Sequence, residues 1–496
     1  MWEHLGEGAF LFFTFQNIIA LIGGTIFGLI FGAIPGLTAT LAVALALPFT
    51  FYLSPITALV TLVGIYKGGV YAGSIPAILI RTPGTPSAAC TVLDGYPLCQ
   101  QGKAGKAMFI ALYASCAGDC IANITLILFT GCIAQFALKF GPPEFFTLIC
   151  ASLTVIAGVS GTSLNKGFIS AALGLLFTTV GMDLVYGSNR FIFGQFELMS
   201  GVSFIPVLIG LFALPEIFNA LRQRDETKAV VKKIDDRLTW AELKCCFKTI
   251  IRGSIIGTII GAIPGLGGTP AAFMSYSEAQ RTSKHPETFG KGELEGVAAS
   301  ESANNAAAPG ALIPLLSLGI PGDVVTGIIL GAFMFHGLTP GPLLFQEHLS
   351  LIYALYIAIA CSSLTLLVAG RFTILGFSQI TKIPAKLLFP AVLVVCLYGS
   401  FAVNSQLFDV WITIGMGLLG YVMGRCEIPT APFVIAFVLG PLFEDNFRRS
   451  LVISSGDYGI FVSSPLCIAF IALTLLSVFV IVRRNVRIRR RKQTAE

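Results

Sequence analysis

Four Pro-Gly pairs interrupt apolar stretches of this chain: Pro35-Gly36, Pro83-Gly84, Pro264-Gly265 and Pro321-Gly322. Proline removes a backbone donor and clashes with the turn before it, while glycine permits a sharp reversal, so each pair breaks a helix. A broken helix presents N–H groups and a positive dipole end that suit an anion, and carbonyls that suit a cation. Polar residues flank the breaks: Thr38, Thr40, Thr82 and Thr85 in the first half, Thr269, Ser317 and Asp323 in the second. The run Glu301-Ser302-Ala303-Asn304-Asn305 opens a further apolar stretch, in register with Tyr66-Lys67 earlier in the chain. Carboxamide and hydroxyl oxygens suit sodium, and their donors suit a carboxylate. The Pro-Gly pairs, the threonines, Lys67, Glu301, Asn304, Asn305 and Asp323 therefore form the candidate substrate- and ion-binding set. Ionisable groups at membrane depth are functional candidates by default. Lys67 is a candidate for substrate or co-ion linkage. Arg81 and Asp94 lie at headgroup depth or pair with each other. Asp119 has no obvious cation near it in the sequence, and reads either as a proton-coupling group or as a structural hydrogen bond.

The elements that carry these residues come in two copies. GLIFGAIPGLTAT (Gly28–Thr40) answers to GTIIGAIPGLGGT (Gly257–Thr269), with the hexapeptide GAIPGL identical in both. SIPAILIRTPGT (Ser74–Thr85) lines up with LIPLLSLGIPGD (Leu312–Asp323), each with a Pro seven residues before a Pro-Gly. Late in each half, prolines recur nine residues apart, at Pro206 and Pro215 and at Pro432 and Pro441. Repeats define architecture. The sequence therefore divides into a first membrane repeat (1–221), a basic cytoplasmic linker (222–252), a second repeat (253–449), an additional helix (450–482) and a basic cytoplasmic tail (483–496). An odd number of crossings per half inverts the copies and puts linker and tail on one side, as basic clusters require. Arg448 and Arg449 then face the opposite side. The expected fold is all-α and polytopic, with ten to twelve spans including re-entrant pieces. The stretch 106–138 is one tilted helix or two short ones. The first apolar segment, Phe10–Phe31, lacks a basic flank and a cleavage site and reads as a retained span. Paired interruptions of short apolar segments point to a transporter's binding site.

Composition supports a lipid-embedded body. Of 496 residues, 55% are hydrophobic and 12% charged, against roughly 25% charged in soluble domains, and mean hydropathy is +0.83. The net charge of +6 is concentrated at Arg222–Arg252 and Arg483–Lys492, and nucleic acid is not needed to explain it. Twelve cysteines without a Cys-x-x-Cys pair read as reduced, buried thiols. No G-x-x-x-x-G-K-[ST] loop is present, which argues against an ATP-driven pump. The four histidines, at 4, 285, 336 and 348, form no HExxH arrangement, so no enzyme, metal site or cofactor is expected. A channel also uses helix breaks, and the alternatives are an organic-anion channel or a stand-alone carrier.

GAIPGLTAT, Tyr71–Leu98 (YAGSIPAILIRTPGTPSAACTVLDGYPL), Gly296–Asp323 (GVAASESANNAAAPGALIPLLSLGIPGD) and His336–Phe345 (HGLTPGPLLF) resemble the large TctA-type membrane subunit of tripartite tricarboxylate transporters. The resemblance covers essentially the whole chain. It implies a multi-pass protein of the bacterial inner membrane that takes up carboxylates on a sodium or proton gradient. It also implies two partners, a small TctB-type membrane subunit and a periplasmic TctC-type solute-binding protein. By looser analogy it implies an elevator-type, ion-transporter-like fold with re-entrant hairpins. Pro35, Gly36, Pro83, Gly84, Glu301, Asn304, Asn305, Pro321 and Gly322 fall on the family's motif positions. Two positions depart from it: Ser300, where a proline is expected, and Lys67, where less charge is expected.

Overall fold

Each Pro-Gly pair lies between two helices, and the identical hexapeptides take the same backbone turn: φ is +85° at Gly36 and +82° at Gly265. A side chain would strain this left-handed conformation, so glycine holds the break open. The computed structural model describes residues 2–159, 163–183, 187–222, 238–380 and 385–493. The first half runs α1 (Trp2–Phe12), α2 (Phe15–Ala33), α3 (Ala39–Thr50), α4 (Pro55–Ala72), α5 (Ser74–Ile80), α6 (Ala88–Gln100), α7 (Ala104–Ala137), α8 (Pro142–Val159) and α9 (Leu164–Thr178). A short antiparallel ribbon, β1 (Gly181–Met182) with β2 (Asn189–Arg190), precedes α10 (Phe204–Arg222). The second half runs α11 (Trp240–Gly261), α12 (Gly268–Thr282), α13 (Leu294–Leu318), α14 (Val324–Phe335), α15 (Pro342–Glu347), α16 (Leu349–Ile380), α17 (Ala385–Asn404), α18 (Leu407–Arg425), α19 (Thr430–Ile453) and α20 (Pro465–Gln493).

Five stretches are long and apolar enough to cross a membrane, and seven shorter apolar helices accompany them among the described residues. Large apolar side chains such as Leu128, Phe129, Leu364, Phe372 and Trp411 point outward; lipid, not water, suits such a surface. The chain is a helical multi-pass membrane protein. Three details sharpen the sequence reading. The fold is not purely α, because β1 and β2 pair. The stretch 106–138 is one 34-residue helix, α7. The polar run 222–252 is helical from Trp240, started by a Thr239–Glu242 capping box; residues 223–237 of that run lie outside the described residues.

The helices sort into two groups. α2 packs on α4, α11 on α13 and α7 on α13, while α10 packs on α18 and α19 on α8 and α9. Polar contacts mark the two ends of the bundle. Near the linker, Lys106 meets Glu242 at 2.5 Å, Gln101 meets Lys291 at 2.7 Å and Thr249 meets Glu295 at 3.0 Å. At the far end, Ser350 meets Glu7 at 2.5 Å, Asn404 meets Ser203 at 2.9 Å and Phe51 stacks on Phe335. The α2–α3 pair therefore dips into the bundle from the far end, and α11–α12 dips in from the linker end. The second Pro-Gly of each half packs on the first glycine of its hexapeptide. A Cβ at Gly84 would stand 2.5 Å from the Gly32 carbonyl oxygen, and one at Gly322 would stand 2.8 Å from that of Gly261.

Candidate functional site

The two hexapeptide copies diverge one residue past their shared sequence. In the first, Thr38 caps α3, its hydroxyl accepting the Leu41 N–H at 3.1 Å. In the second, Gly267 occupies that position with φ +61°, and no side chain caps α12. The first N–H groups of a helix have no partner within it, so α12 begins as an open, positively polarised end inside the bundle. Asn304 lies against it. A Cβ at Gly268 would come within 2.6 Å of Asn304 Oδ1 and 3.6 Å of Ser87 Cβ. Asn304 is 3% exposed, and its Nδ2 has no hydrogen-bond partner. A buried amide donor without a partner costs free energy on the order of 1–3 kcal/mol, which a ligand oxygen would recover.

Neighbouring helix starts are already occupied. Asp323 caps α14, accepting the Thr326 N–H at 2.8 Å, and also accepts the Tyr66 hydroxyl. Thr85 Oγ1 accepts the Ala88 N–H at the start of α6, at 3.3 Å. Of these three starts, only that of α12 is left without a side-chain partner. Its N–H groups and the neighbouring Asn304 carboxamide suit a carboxylate bound by hydrogen bonds and helix dipole.

One turn before Asn304, Glu301 is fully buried in a different shell. Thr91 donates to its Oε1, and Ser115 (3.1 Å) and the Asn305 amide (3.4 Å) donate to Oε2. Lys67 turns toward α7 and α16. All three of its ammonium donors are used: on Asp119 and Asn123 Oδ1, both at 3.0 Å, and on Ile359 O at 2.9 Å. Ser363 donates to Asp119 as well. Asp119 thus has a cation, which the sequence alone did not indicate. Asp94 accepts the N–H groups of Gly290, Gly292 and Glu293 at 2.8–2.9 Å and the Tyr276 hydroxyl at 2.8 Å. It is not paired with Arg81, which lies over the Tyr96 ring.

A cavity of about 580 Å³ opens at the far end, between α14 and the helices α9, α10 and α19. Its polar wall is a network in which Arg190 and Arg448 each meet Glu444 at 2.7 Å, and Arg448 meets Asp183 at 2.7 Å. Arg448 thus faces the far end with its charge neutralised.

Residues 18–435 match the tripartite tricarboxylate transporter TctA family. The chain belongs to the TctA family. A relative from Agrobacterium vitis, described as an uncharacterized 52.8 kDa protein in the TAR-I ttuC' 3' region, is 39% identical over 481 residues, 97% of this chain and 96% of the relative. A second, described as an uncharacterized protein in the TAR-II ttuC' 3' region of the same organism, is 39% identical over 234 residues, 47% of this chain and 97% of the relative. No solved structure matches.

In this TctA-family chain the expected residues do not form one pocket. Asn304, Asp323 and the segment Pro264-Gly265 to Thr269 gather at the start of α12. Thr38 and Thr85 serve as local caps, and Thr82 donates to Ile80 O at 3.3 Å. Pro35-Gly36, Thr40 and the other Pro-Gly pairs shape the turns. Glu301 with Asn305, and Lys67 with Asp119, form two separate buried clusters. Ser87, Gly267 and Gly268 were not singled out from the sequence, and Tyr66 was noted only for its register with the Glu301–Asn305 run. The signal was available, because Tyr66 aligns with Asn304 and Gly267 replaces the capping Thr38.

Proposed function

We propose that this chain is the translocating membrane subunit of a secondary uptake system for tricarboxylates or related organic carboxylates. It runs on a sodium or proton gradient in a bacterial inner membrane, with linker and tail in the cytoplasm. A TctC-type periplasmic protein delivers the substrate and a TctB-type subunit sits alongside. The observation that carries this reading is the start of α12 without a side-chain cap, next to the Asn304 carboxamide, whose Nδ2 has no partner, and to Ser87 of the first half.

The halves are an inverted repeat that moves as an elevator. Matching φ angles at Gly36 and Gly265, and matching contacts at Gly84 and Gly322, support the repeat. An offset supports the movement. A Cβ at Gly36 would meet Phe389, the fifth residue of α17, whereas one at Gly265 would meet Ile156, the fifteenth residue of α8. Symmetric docking would put both tips at equal positions. The ten-residue difference corresponds to about 15 Å of helix, and both tips lie toward the linker end, as expected of a transport unit displaced to that side.

The test is reconstitution with the binding protein and the small subunit, followed by uptake of a carboxylate panel under separately imposed sodium and pH gradients. Saturable uptake that needs the binding protein and a gradient is expected. Ion conductance above carrier rates would establish the channel alternative. Full uptake without the binding protein would establish the stand-alone carrier.

A further inference from the structure

We propose that Glu301 couples transport to a proton gradient by taking up and releasing one proton per cycle. This rests on the carrier reading above and assigns its driving ion.

Glu301 has no exposed surface, and its partners come from two helices of the first half and from its own helix. Thr91 on α6, Ser115 on α7 and Asn305 on α13 reach the carboxyl group, all neutral. The titratable groups on the surrounding elements are committed or uncharged. Asp119 on α7 is held by Lys67, and Asp94 on α6 by backbone N–H groups and Tyr276 of α12. Cys90, Cys116 and Tyr71 are buried. No arginine, lysine or histidine forms an ion pair with Glu301 among the described residues. An ionised carboxylate buried with no counter-charge is expensive. Taking up a proton removes that cost, so the position suits a carboxyl that exchanges one.

The surrounding hydroxyls accommodate both states. When Glu301 is ionised, Thr91 donates to Oε1. When it is protonated, the Oε1–H donates to Thr91 Oγ1. The Thr91 hydrogen then turns to Ser300 Oγ at 3.3 Å, and Ser300 donates to the Gly296 carbonyl at 3.1 Å. Oε2 accepts from Ser115 and Asn305 in both states, so no buried group is left unpaired by the exchange. The chain of hydroxyls runs from Glu301 back along α13 toward the linker end, where α13 begins. Ser300 supplies its middle link. In the cycle the Oε1–H bond forms with a proton taken from the substrate-loading side. It breaks toward the linker side, where water accepts the proton. The carrier crosses with a neutral Glu301 and one bound carboxylate.

The test uses the purified complex in vesicles containing a trapped pH indicator. It follows carboxylate counterflow and carboxylate-driven proton flux in parallel. For the wild type both are expected. In E301Q, which keeps the shape and a donor of the protonated acid, proton flux and pH-driven accumulation fall to background while counterflow persists. E301D regains proton flux. If E301Q fails to fold, Thr91→Val keeps the carboxyl but removes the relay, and should slow proton flux relative to counterflow. Proton flux in E301Q or Thr91→Val equal to that of the wild type overturns the proposal. So does wild-type accumulation driven by sodium at clamped pH with no proton flux, which leaves the carrier reading standing. Neither counterflow nor proton flux in the wild type overturns both.

Discussion

A single substitution between two otherwise identical turns caps one helix start and leaves the other without a side-chain cap. Thr38 closes the start of α3 with its own hydroxyl, and Gly267 leaves the start of α12 open. The Asn304 amide stands beside that opening, unpartnered. A hydrogen bond to a charged group contributes about 1.5–3 kcal/mol, and each 1.4 kcal/mol is about tenfold in affinity. Asn304→Ala should therefore raise the KM for carboxylate uptake by roughly 10- to 100-fold at unchanged expression. Asn304→Asp, which sets a charge against the substrate, should abolish uptake. Gly268→Ala should weaken uptake by pushing the Asn304 carboxamide, whose Oδ1 would lie 2.6 Å from the new methyl, out of place, whereas Gly23→Ala, with nothing within 4 Å, should leave uptake intact. Equal uptake in the Gly268 and Gly23 variants would place the substrate elsewhere. At this scale the sequence was only partly legible. Asn304 and Asn305 are adjacent and alike in type, yet successive helix residues point about a quarter-turn apart. One faces α12 and the other Ser115, a distinction that depends on which helices pack against α13.

Between elements, the sequence showed breaks and apolar lengths, because these are local, but not pairings between distant helices. Lys67 and Asp119 are the clearest case: α4 and α7 cross so that the two charges meet 3.0 Å apart at a point that also contacts α16. Removing one member of a buried pair costs about 3–5 kcal/mol because the other charge is stranded, while replacing both is far milder. Lys67→Met and Asp119→Asn should each lower folded yield and melting temperature sharply, and the double variant should recover most of both. Recovered uptake in the double variant would mark the pair as a lock between helices. Uptake lost from a stably folded double variant would restore Asp119 as a coupling candidate. Nearer the linker, ahead of the apolar part of α11, Lys106 and the Thr239 backbone hold the Glu242 carboxyl down at about 2. A depressed carboxyl contributes stability above its unfolded pKa, and the contribution fades as pH falls toward the folded value. The melting temperature of the wild type should thus decline between about pH 5 and pH 2, and Glu242→Gln should start lower and decline less.

For the whole molecule, the matched hexapeptides were readable because they are identical, whereas the unequal docking of the two tips was not. It lies in which scaffold residue each tip meets, and both Ile156 and Phe389 are ordinary apolar residues in apolar helices. If the tips slide by the offset of about 15 Å, the second tip should leave Ile156 and reach the other end of α8, near Phe146. There it would approach the aromatic group that Phe146 forms with Phe443, Phe447 and Phe461. With the native cysteines replaced, cysteines at Leu266 and Ile156 should cross-link with a bifunctional maleimide in the resting complex. Cysteines at Leu266 and Phe146 should cross-link only when the delivering protein, substrate and gradient are present. Each cross-link should stop uptake, and reduction of a cleavable reagent should restore it. If Leu266 never reaches Phe146 under turnover while uptake proceeds, the tips do not slide. The offset is then a fixed asymmetry of the scaffold, and access must alternate by local opening of α11–α12, with α8 and α17 as fixed walls.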